Sequence, residues 1–360
     1  MQHNNKNNNI FSNVLIDWYL SNKRELLWRH TTDAYAIWLS EIILQQTKVA
    51  QGTPYYIAFL EAFPTIQDLA TADIDRVLKL WEGLGYYSRA RNLHATAKYI
   101  TEVLHGVFPT TYKDLLTLKG VGTYTAAAVA SFAYNESVAV VDGNVYRVLA
   151  RIFGIDTPID STIGKKEFQL LANDLLHQHK PGLHNQAMME FGALFCIPTK
   201  PDCQSCIFNK QCVAFQNNTV NLLPIKSKKT QIKDRYFNYF VVEKEEGQVG
   251  IQKRQEKDIW QGLYEFPLVE ADALFTNEEA IQYLSTTTDI TSLVSGITMK
   301  VHILSHQRIH SRFFSISNVV ATTKAENWIW VAVTDLHSYA FPRLITNFLE
   351  KVAEYKKTLF

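Results

Sequence analysis

From residue 10 to about 215, apolar positions recur every three or four residues. Ile10, Phe11, Val14, Leu15 and Trp18 share one helical face, and so do Val77, Leu78, Leu80 and Trp81. Tyr86 to Leu104 reads as one helix, with Gly106 as its C-terminal stop. Strand-like alternation is scarce in this half. The pattern changes after Cys212. Residues 224 to 235 carry Pro224, Lys226, Lys228, Lys229, Lys233 and Arg235 without a period, and read as a solvated basic linker. From Tyr236 onward strands dominate. Tyr236–Val242, Val249–Ile251, Lys300–Leu304 and Phe313–Val320 are the candidates, with helices over Glu278–Leu284 and Leu344–Tyr355. The expectation is a polar tail over 1–9, an all-α domain over 10–223, a linker over 224–235 and a small α+β domain over 236–360.

Length and composition agree with that division. A chain of 360 residues can hold two cores, and 47% hydrophobic with 20% charged residues is ordinary for a folded protein. The longest apolar runs are too short to cross a bilayer, and the Asn-rich start lacks the apolar stretch of a signal peptide. The chain is therefore expected to be cytoplasmic, without a membrane partner, and monomeric. The net charge of +1 decides nothing about nucleic acid, because a local basic face is enough to bind phosphate.

The four cysteines, Cys196, Cys203, Cys206 and Cys212, stand together. Six, two and five residues separate them, and four thiolates so spaced can surround one metal centre. Disulfides are disfavoured in a chain with no mark of secretion. Structural zinc is the stronger rival, but zinc sites of four cysteines usually show two Cys-x-x-Cys pairs. Only Cys203 and Cys206 form one here. The spacing tips toward an iron–sulfur cluster.

Two further features carry chemistry. Leu118 to Ala126 places Gly120, Val121 and Gly122 as a tight turn between helical stretches over 112–132, before an Ala-rich helix whose first N–H groups can bind phosphate. Twenty residues after Gly122, Asp142 stands between apolar residues and a helix start, where it could equally be an N-cap. Glu41 lies within the apolar run Ile37 to Leu44, with no Lys or Arg three or four positions away. A carboxyl in such company has its pKa raised and can hold a proton near neutrality.

Together these motifs resemble the adenine DNA glycosylases, the MutY family of the helix–hairpin–helix superfamily. The match rests on Trp38-Leu-Ser-Glu with Leu-Gln-Gln-Thr, Trp81 to Arg91, the Gly-Val-Gly hairpin, Val141-Asp-Gly-Asn-Val145, Asn185 to Met189 and the four cysteines. The resemblance implies a six-helix barrel module, an iron–sulfur module over 196–212 holding a 4Fe–4S cluster, and a Nudix-like domain. It implies hydrolysis of the N-glycosidic bond of adenine opposite 8-oxoguanine or guanine in duplex DNA. Glu41 would be the acid and Asp142 the ionised partner, with Tyr124 and Asn144 completing the site. Trp28, Arg29, Leu44 and Gln186 match the family's adenine pocket, and Gln46 and Tyr86 match residues that wedge the duplex. Gly120, Val121 and Gly122 would hold the DNA backbone, while the cysteine loop would present Lys200 and Lys210 to phosphate.

Endonuclease III, a bifunctional glycosylase and lyase for oxidised pyrimidines, is the nearest alternative. It carries a nucleophilic lysine where this chain has Tyr124, and it lacks a counterpart of Glu41. A non-catalytic DNA-binding module with a structural cluster is the other alternative, but phosphate binding needs neither carboxylate. In the C-terminal half, Trp260 to Pro267 resembles the Nudix-like region, yet the metal-binding run of Arg and Glu is absent after Gly262. Leu304-Ser305-His306 stands where the family often has Phe-Ser-His. Ser305 and His306 are therefore the expected readers of 8-oxoguanine, without the aromatic residue.

Overall fold

The computed structural model describes residues 2–227, 232–244, 247–287, 295–316 and 328–357. It divides into two compact units. One comprises 1–70 with 95–229, and the other 71–94 with 230–360. The segment 71–94 thus belongs with the C-terminal half, although its helical sequence falls inside the all-α domain expected over 10–223.

The first unit is helical. Its opening helix, Gln2–Asn22, includes most of the stretch expected as a tail. Extending a helix already nucleated by its apolar face costs little per residue. Phe11, Leu15, Ile16 and Tyr19 from this helix pack with Val145, Val148, Leu149, Phe168, Phe191 and Phe208 into one core. Helix Ala34–Ile43 is buried along its whole length, consistent with a sequence apolar on all sides. Asp33 caps it by accepting from Tyr35 and Ala36 N–H.

The hairpin runs from a short helix, Tyr112–Leu115, through a turn into helix Thr123–Tyr134. Gly120 sits at φ 76°, the left-handed region that glycine enters without strain. Helix Gly143–Phe153 follows, and helix Pro181–Leu194 lies against it. That approach requires Gly192. A Cβ there would meet Asn144 Cβ at 2.7 Å and the Asn144 carbonyl oxygen at 3.0 Å.

In the second unit, strand Lys233–Val242 pairs parallel with Gln307–Ile316 and antiparallel with Leu268–Ala271. Ser295–Thr298 and His302–Ile303 pair antiparallel with Gln307–Ile316. A second, three-stranded sheet joins Tyr264–Glu265, Gln248–Lys253 and Ile329–Ala332. The larger sheet is covered on both faces. Phe240, Val242, Phe314 and Ile316 face Ala280 and Leu284 of helix Asn277–Thr287. Tyr239 stacks on Phe313, and Phe313 on Phe348 of helix Arg343–Lys357. Double coverage explains why 236–242 is nearly continuous in apolar residues, without alternation.

Several boundaries move from expectation. The strand begins at Lys233 and takes in Arg235, which is 8% exposed and ion-paired, so the linker ends earlier than 235. Lys228 and Lys229 lie outside the described residues, as do Met1 and 317–320 at the end of one expected strand. The strand expected over 300–304 is confined to His302–Ile303. The helix expected from Tyr86 is Ser88–Glu102, because Gly85 and Tyr86 have φ of 76° and 48° and consecutive left-handed residues cannot start a right-handed helix. Gly106, at φ 80°, follows the helix end as expected.

Candidate functional site

Glu41 sits on the third turn of helix Ala34–Ile43 and is 5% exposed. It lines a cleft with Trp28, Arg29, Ile37, Ser40, Phe132, Gln186 and Met189. The Tyr124 hydroxyl, from the first turn of the hairpin's second helix, donates to Glu41 Oε2 at 2.6 Å. Burial pushes the carboxyl up, that hydrogen bond pulls it back, and the charge of nearby Asp142 pushes it up again. The result is a pKa of about 7, from an ordinary value of 4.5. Burial and the neighbouring carboxylates raise the Tyr124 phenol well above its usual range.

Asp142 does cap a helix. Its Oδ1 accepts from Asn144 and Val145 N–H at 2.9 and 2.8 Å, and its Oδ2 from Asn144 Nδ2 at 2.8 Å. Burial raises its pKa, and these three N–H donors work against the rise. The helix end that Asp142 caps also stabilises its carboxylate. Asn144 Oδ1 in turn accepts from Arg147 Nη2 at 2.8 Å, and the same guanidinium reaches the carbonyls of Gly192 and Cys196.

Of the residues assigned to an adenine pocket, Trp28, Arg29 and Gln186 share the cleft with Glu41. Tyr19 donates to Gln186 Oε1 at 2.7 Å. Leu44 is not among the lining residues. It caps the end of helix Ala34–Ile43, and its Cδ2 lies 2.8 Å from where a Cβ on Gly52 would be. Arg29 is bound in a fork to Glu190 at 3.0 and 2.8 Å, and Arg24 holds the same carboxylate at 2.6 Å. Burial opposes the Glu190 charge, but the two guanidiniums outweigh it and hold its pKa at about 2. Sequence reasoning missed Glu190. A carboxylate in the apolar run Met188-Met189-Glu190-Phe191 was the available signal. Gln46 is exposed at φ 55°. In the hairpin, Gly120 and Gly122 are exposed and Val121 is buried.

The four cysteines line a single pocket together with Arg151, Phe191, Phe195 and Phe215. Among the described residues, no three His, Cys, Asp or Glu converge as a ligand set for one ion. Burial pushes the Cys206 thiol up to about 11. The Phe208 N–H lies 3.4 Å from Cys206 Sγ, and Arg151 Nη1 3.5 Å from Cys196 Sγ. Arg151 is 2% exposed and also donates to the carbonyls of Ile197, Pro198, Val220 and Leu223, tying the cysteine loop to helix Gly143–Phe153. Lys200 and Lys210 are exposed on this loop.

In the second unit, Tyr86, 43% exposed, contacts Ser305 through their hydroxyls. Both line a pocket with Asp258, Trp260, Leu304 and His306. No helix among the described residues is long and apolar enough to cross a membrane.

Residues 39–173 match the HhH-GPD superfamily of base excision DNA repair proteins, and residues 238–351 match the NUDIX domain. The adenine DNA glycosylase of Buchnera aphidicola subsp. Schizaphis graminum (strain Sg) is 32% identical over 351 residues, spanning 95% of this chain and 98% of that protein. A solved thermostable thymine-DNA glycosylase aligns with a TM-score of 0.55 and 30% identity, covering 59% of this chain and 98% of its own. An endonuclease III in a non-covalent DNA complex aligns at 0.51 and 20% identity over 59% of this chain and 97% of its own, a likeness of fold. Similarity along almost the full length, with a repair domain and a NUDIX domain in one chain, establishes that the chain belongs to the adenine DNA glycosylase family, whose members are DNA N-glycosylases of base excision repair.

Proposed function

We propose that the enzyme removes adenine paired with 8-oxoguanine, or with guanine, by hydrolysis and without cutting the strand. The observation that carries this reading is a pair of carboxyls in different surroundings. Glu41 is buried beneath the Tyr124 hydroxyl with a pKa near 7, and Asp142 is held by three N–H donors. Adenine leaves poorly as an anion, and Glu41 donates a proton at N7 so that it departs neutral. The sugar becomes an oxocarbenium-like cation, which ionised Asp142 stabilises while water is added. Tyr124 orients Glu41, and Asn144 orients Asp142. No amine stands at the Tyr124 position, which supports hydrolysis without a Schiff base.

The target adenine enters the cleft of Trp28, Arg29 and Gln186 after leaving the base stack, at a cost of a few kcal/mol. Gly120, Val121, Gly122 and the first N–H groups of helix Thr123–Tyr134 hold the backbone phosphate. Gln46 and Tyr86 wedge the duplex, and Ser305 with His306 read the 8-oxoguanine edge. Four thiols around one pocket, with an N–H and a guanidinium near two of the sulfurs, fit a 4Fe–4S cluster on Cys196, Cys203, Cys206 and Cys212. When bound, the cluster supplies a structural cross-link to the loop carrying Lys200 and Lys210, and no step of the hydrolysis.

The test is incubation with duplexes bearing adenine opposite 8-oxoguanine, adenine opposite guanine, and thymine opposite guanine. The first two should yield abasic sites cleaved only after alkali, with little complex trapped by borohydride. Strand cleavage without alkali, efficient trapping, or excision of thymine alone would contradict the proposal.

A further inference from the structure

We infer that Arg235 and Asp258 form a positioning pair that sets the Ser305–His306 turn against the opposite wall of its pocket, and thereby governs discrimination of the base facing adenine. The inference rests on the reading above that this turn reads 8-oxoguanine.

Arg235 is 8% exposed at the start of strand Lys233–Val242. A guanidinium has five N–H donors, and all five are used. Nε donates to Glu270 Oε1 at 2.7 Å. Nη1 donates to Asp258 Oδ1 at 3.1 Å and to Gln307 Oε1 at 3.2 Å. Nη2 donates to Asp258 Oδ2 and Glu270 Oε2, each at 2.6 Å. One planar side chain therefore spans three segments far apart in sequence. Two of them flank the pocket: Asp258 begins the wall that continues to Trp260, and Gln307 directly follows Ser305 and His306.

The turn itself is short. Leu304 N–H donates to the Gln307 carbonyl at 2.8 Å, and Lys233 N–H to the His306 carbonyl at 3.1 Å. Ser305 and His306 are exposed, so packing does not fix their position. The opposite wall is held from beneath by a second guanidinium. Arg254, 6% exposed, donates to Asp258 Oδ2 at 2.9 Å and to the Ile259 carbonyl at 2.9 Å. Burial disfavours the Asp258 charge, but the hydrogen bonds from Arg235 and the others outweigh it and take its pKa to about 2. The Phe237 ring lies beneath both guanidiniums, with centroids 4.9 and 5.6 Å from their central carbons. The Arg235 fork grips both oxygens of Asp258, and Arg254 adds a third hydrogen bond to Oδ2, a joint stiffer than a single hydrogen bond could give.

The test uses the full-length protein and single-turnover excision, with binding measured in parallel, on adenine opposite 8-oxoguanine and opposite guanine. Asp258→Asn keeps the shape but turns an amide toward two guanidiniums. It should lower the ratio of the two rates by on the order of tenfold, toward the low end of what hydrogen-bonded base readout is worth. The loss should fall on affinity for the 8-oxoguanine duplex more than on the rate at saturating enzyme. Gln307→Ala removes only the link to the turn and should lower the ratio less. Glu270→Gln keeps an acceptor for Arg235 on the side away from the pocket and leaves its bonds to Asp258 and Gln307 in place, so it should leave the ratio unchanged. If Asp258→Asn does not fold, the comparison of Gln307→Ala with Glu270→Gln decides alone. A Ser305→Ala/His306→Ala variant is measured alongside. If it loses the preference while Asp258→Asn and Gln307→Ala keep it, or if Glu270→Gln loses it equally, the positioning inference is overturned and the lesion reading stands. If the double variant keeps the preference, the lesion reading fails and the inference falls with it.

Discussion

A carboxyl at position 41 with a pKa near 7 makes a trade visible at the residue scale. Glu41 has its pKa raised on folding, from 4.5 to about 7. Folding takes up a proton in that interval. The stability it contributes is complete below about pH 4.5 and is lost as pH rises through about 7. Glu41→Gln keeps an acceptor for Tyr124 but cannot ionise. It should match the wild type in stability at pH 4 and exceed it at pH 8 by on the order of 3 kcal/mol. Urea unfolding at both values checks this, and parallel pH dependence of the two proteins would count against a buried titrating Glu41. The same sign applies to catalysis, since excision should fall as pH rises through about 7 and the acid loses its proton. Glu41 was legible because its apolar neighbours are adjacent in sequence. Glu190 has apolar neighbours too, but its ion pairs and the contacts of Arg147 were not legible, because the partners lie far away: Arg24 is 166 positions from Glu190, and the carbonyl Arg147 grips at Cys196 is 49 positions on.

Among the elements, helix Pro181–Leu194 matters most to the site, since its Gly192 lets it approach the N-terminus that carries Asp142 and Asn144. Gly192→Ala would press a methyl group against Asn144, with the nearest contact at 2.7 Å. Overpacking of this kind typically costs ~1–3 kcal/mol. We expect a lowered unfolding midpoint together with slower excision, because the displaced residue orients Asp142. A stability loss with an unchanged single-turnover rate would show that the cap tolerates the shift. Element type was readable from the 3.6-residue period in one half and from β-branched and aromatic density in the other. Boundaries were not readable where a charge has a distant partner. Arg235 looks like linker beside Lys228, Lys229 and Lys233, and only the fold brings Asp258 and Glu270 to it. Tyr86 looks like helix until the left-handed backbone at Gly85 and Tyr86 is seen.

For the whole molecule, the proposed division of function between two units predicts what shortening the chain does. Residues 71–94 pack with the C-terminal half: Tyr264 donates to Asp75 at 2.7 Å, Lys253 is paired with Asp75, and Gly262 lies against Leu78. A chain ending at 229 strips those partners from the segment that bears Tyr86. It should retain excision but lose preference for 8-oxoguanine over guanine by on the order of tenfold. Equal preference in the short and full chains would assign the C-terminal half another task. The two-domain plan was legible in the change of periodicity after Cys212, whereas the membership of 71–94 was not, because those residues are helical like their sequence neighbours. The central claim concerns the buried acid, and one comparison tests it most directly: single-turnover release of adenine opposite 8-oxoguanine by the wild type and by Glu41→Gln, with binding to the same duplex measured beside it. A missing general acid should slow release by ~10²–10⁴-fold while binding persists; a Glu41→Gln enzyme that excises at the wild-type rate would contradict the account.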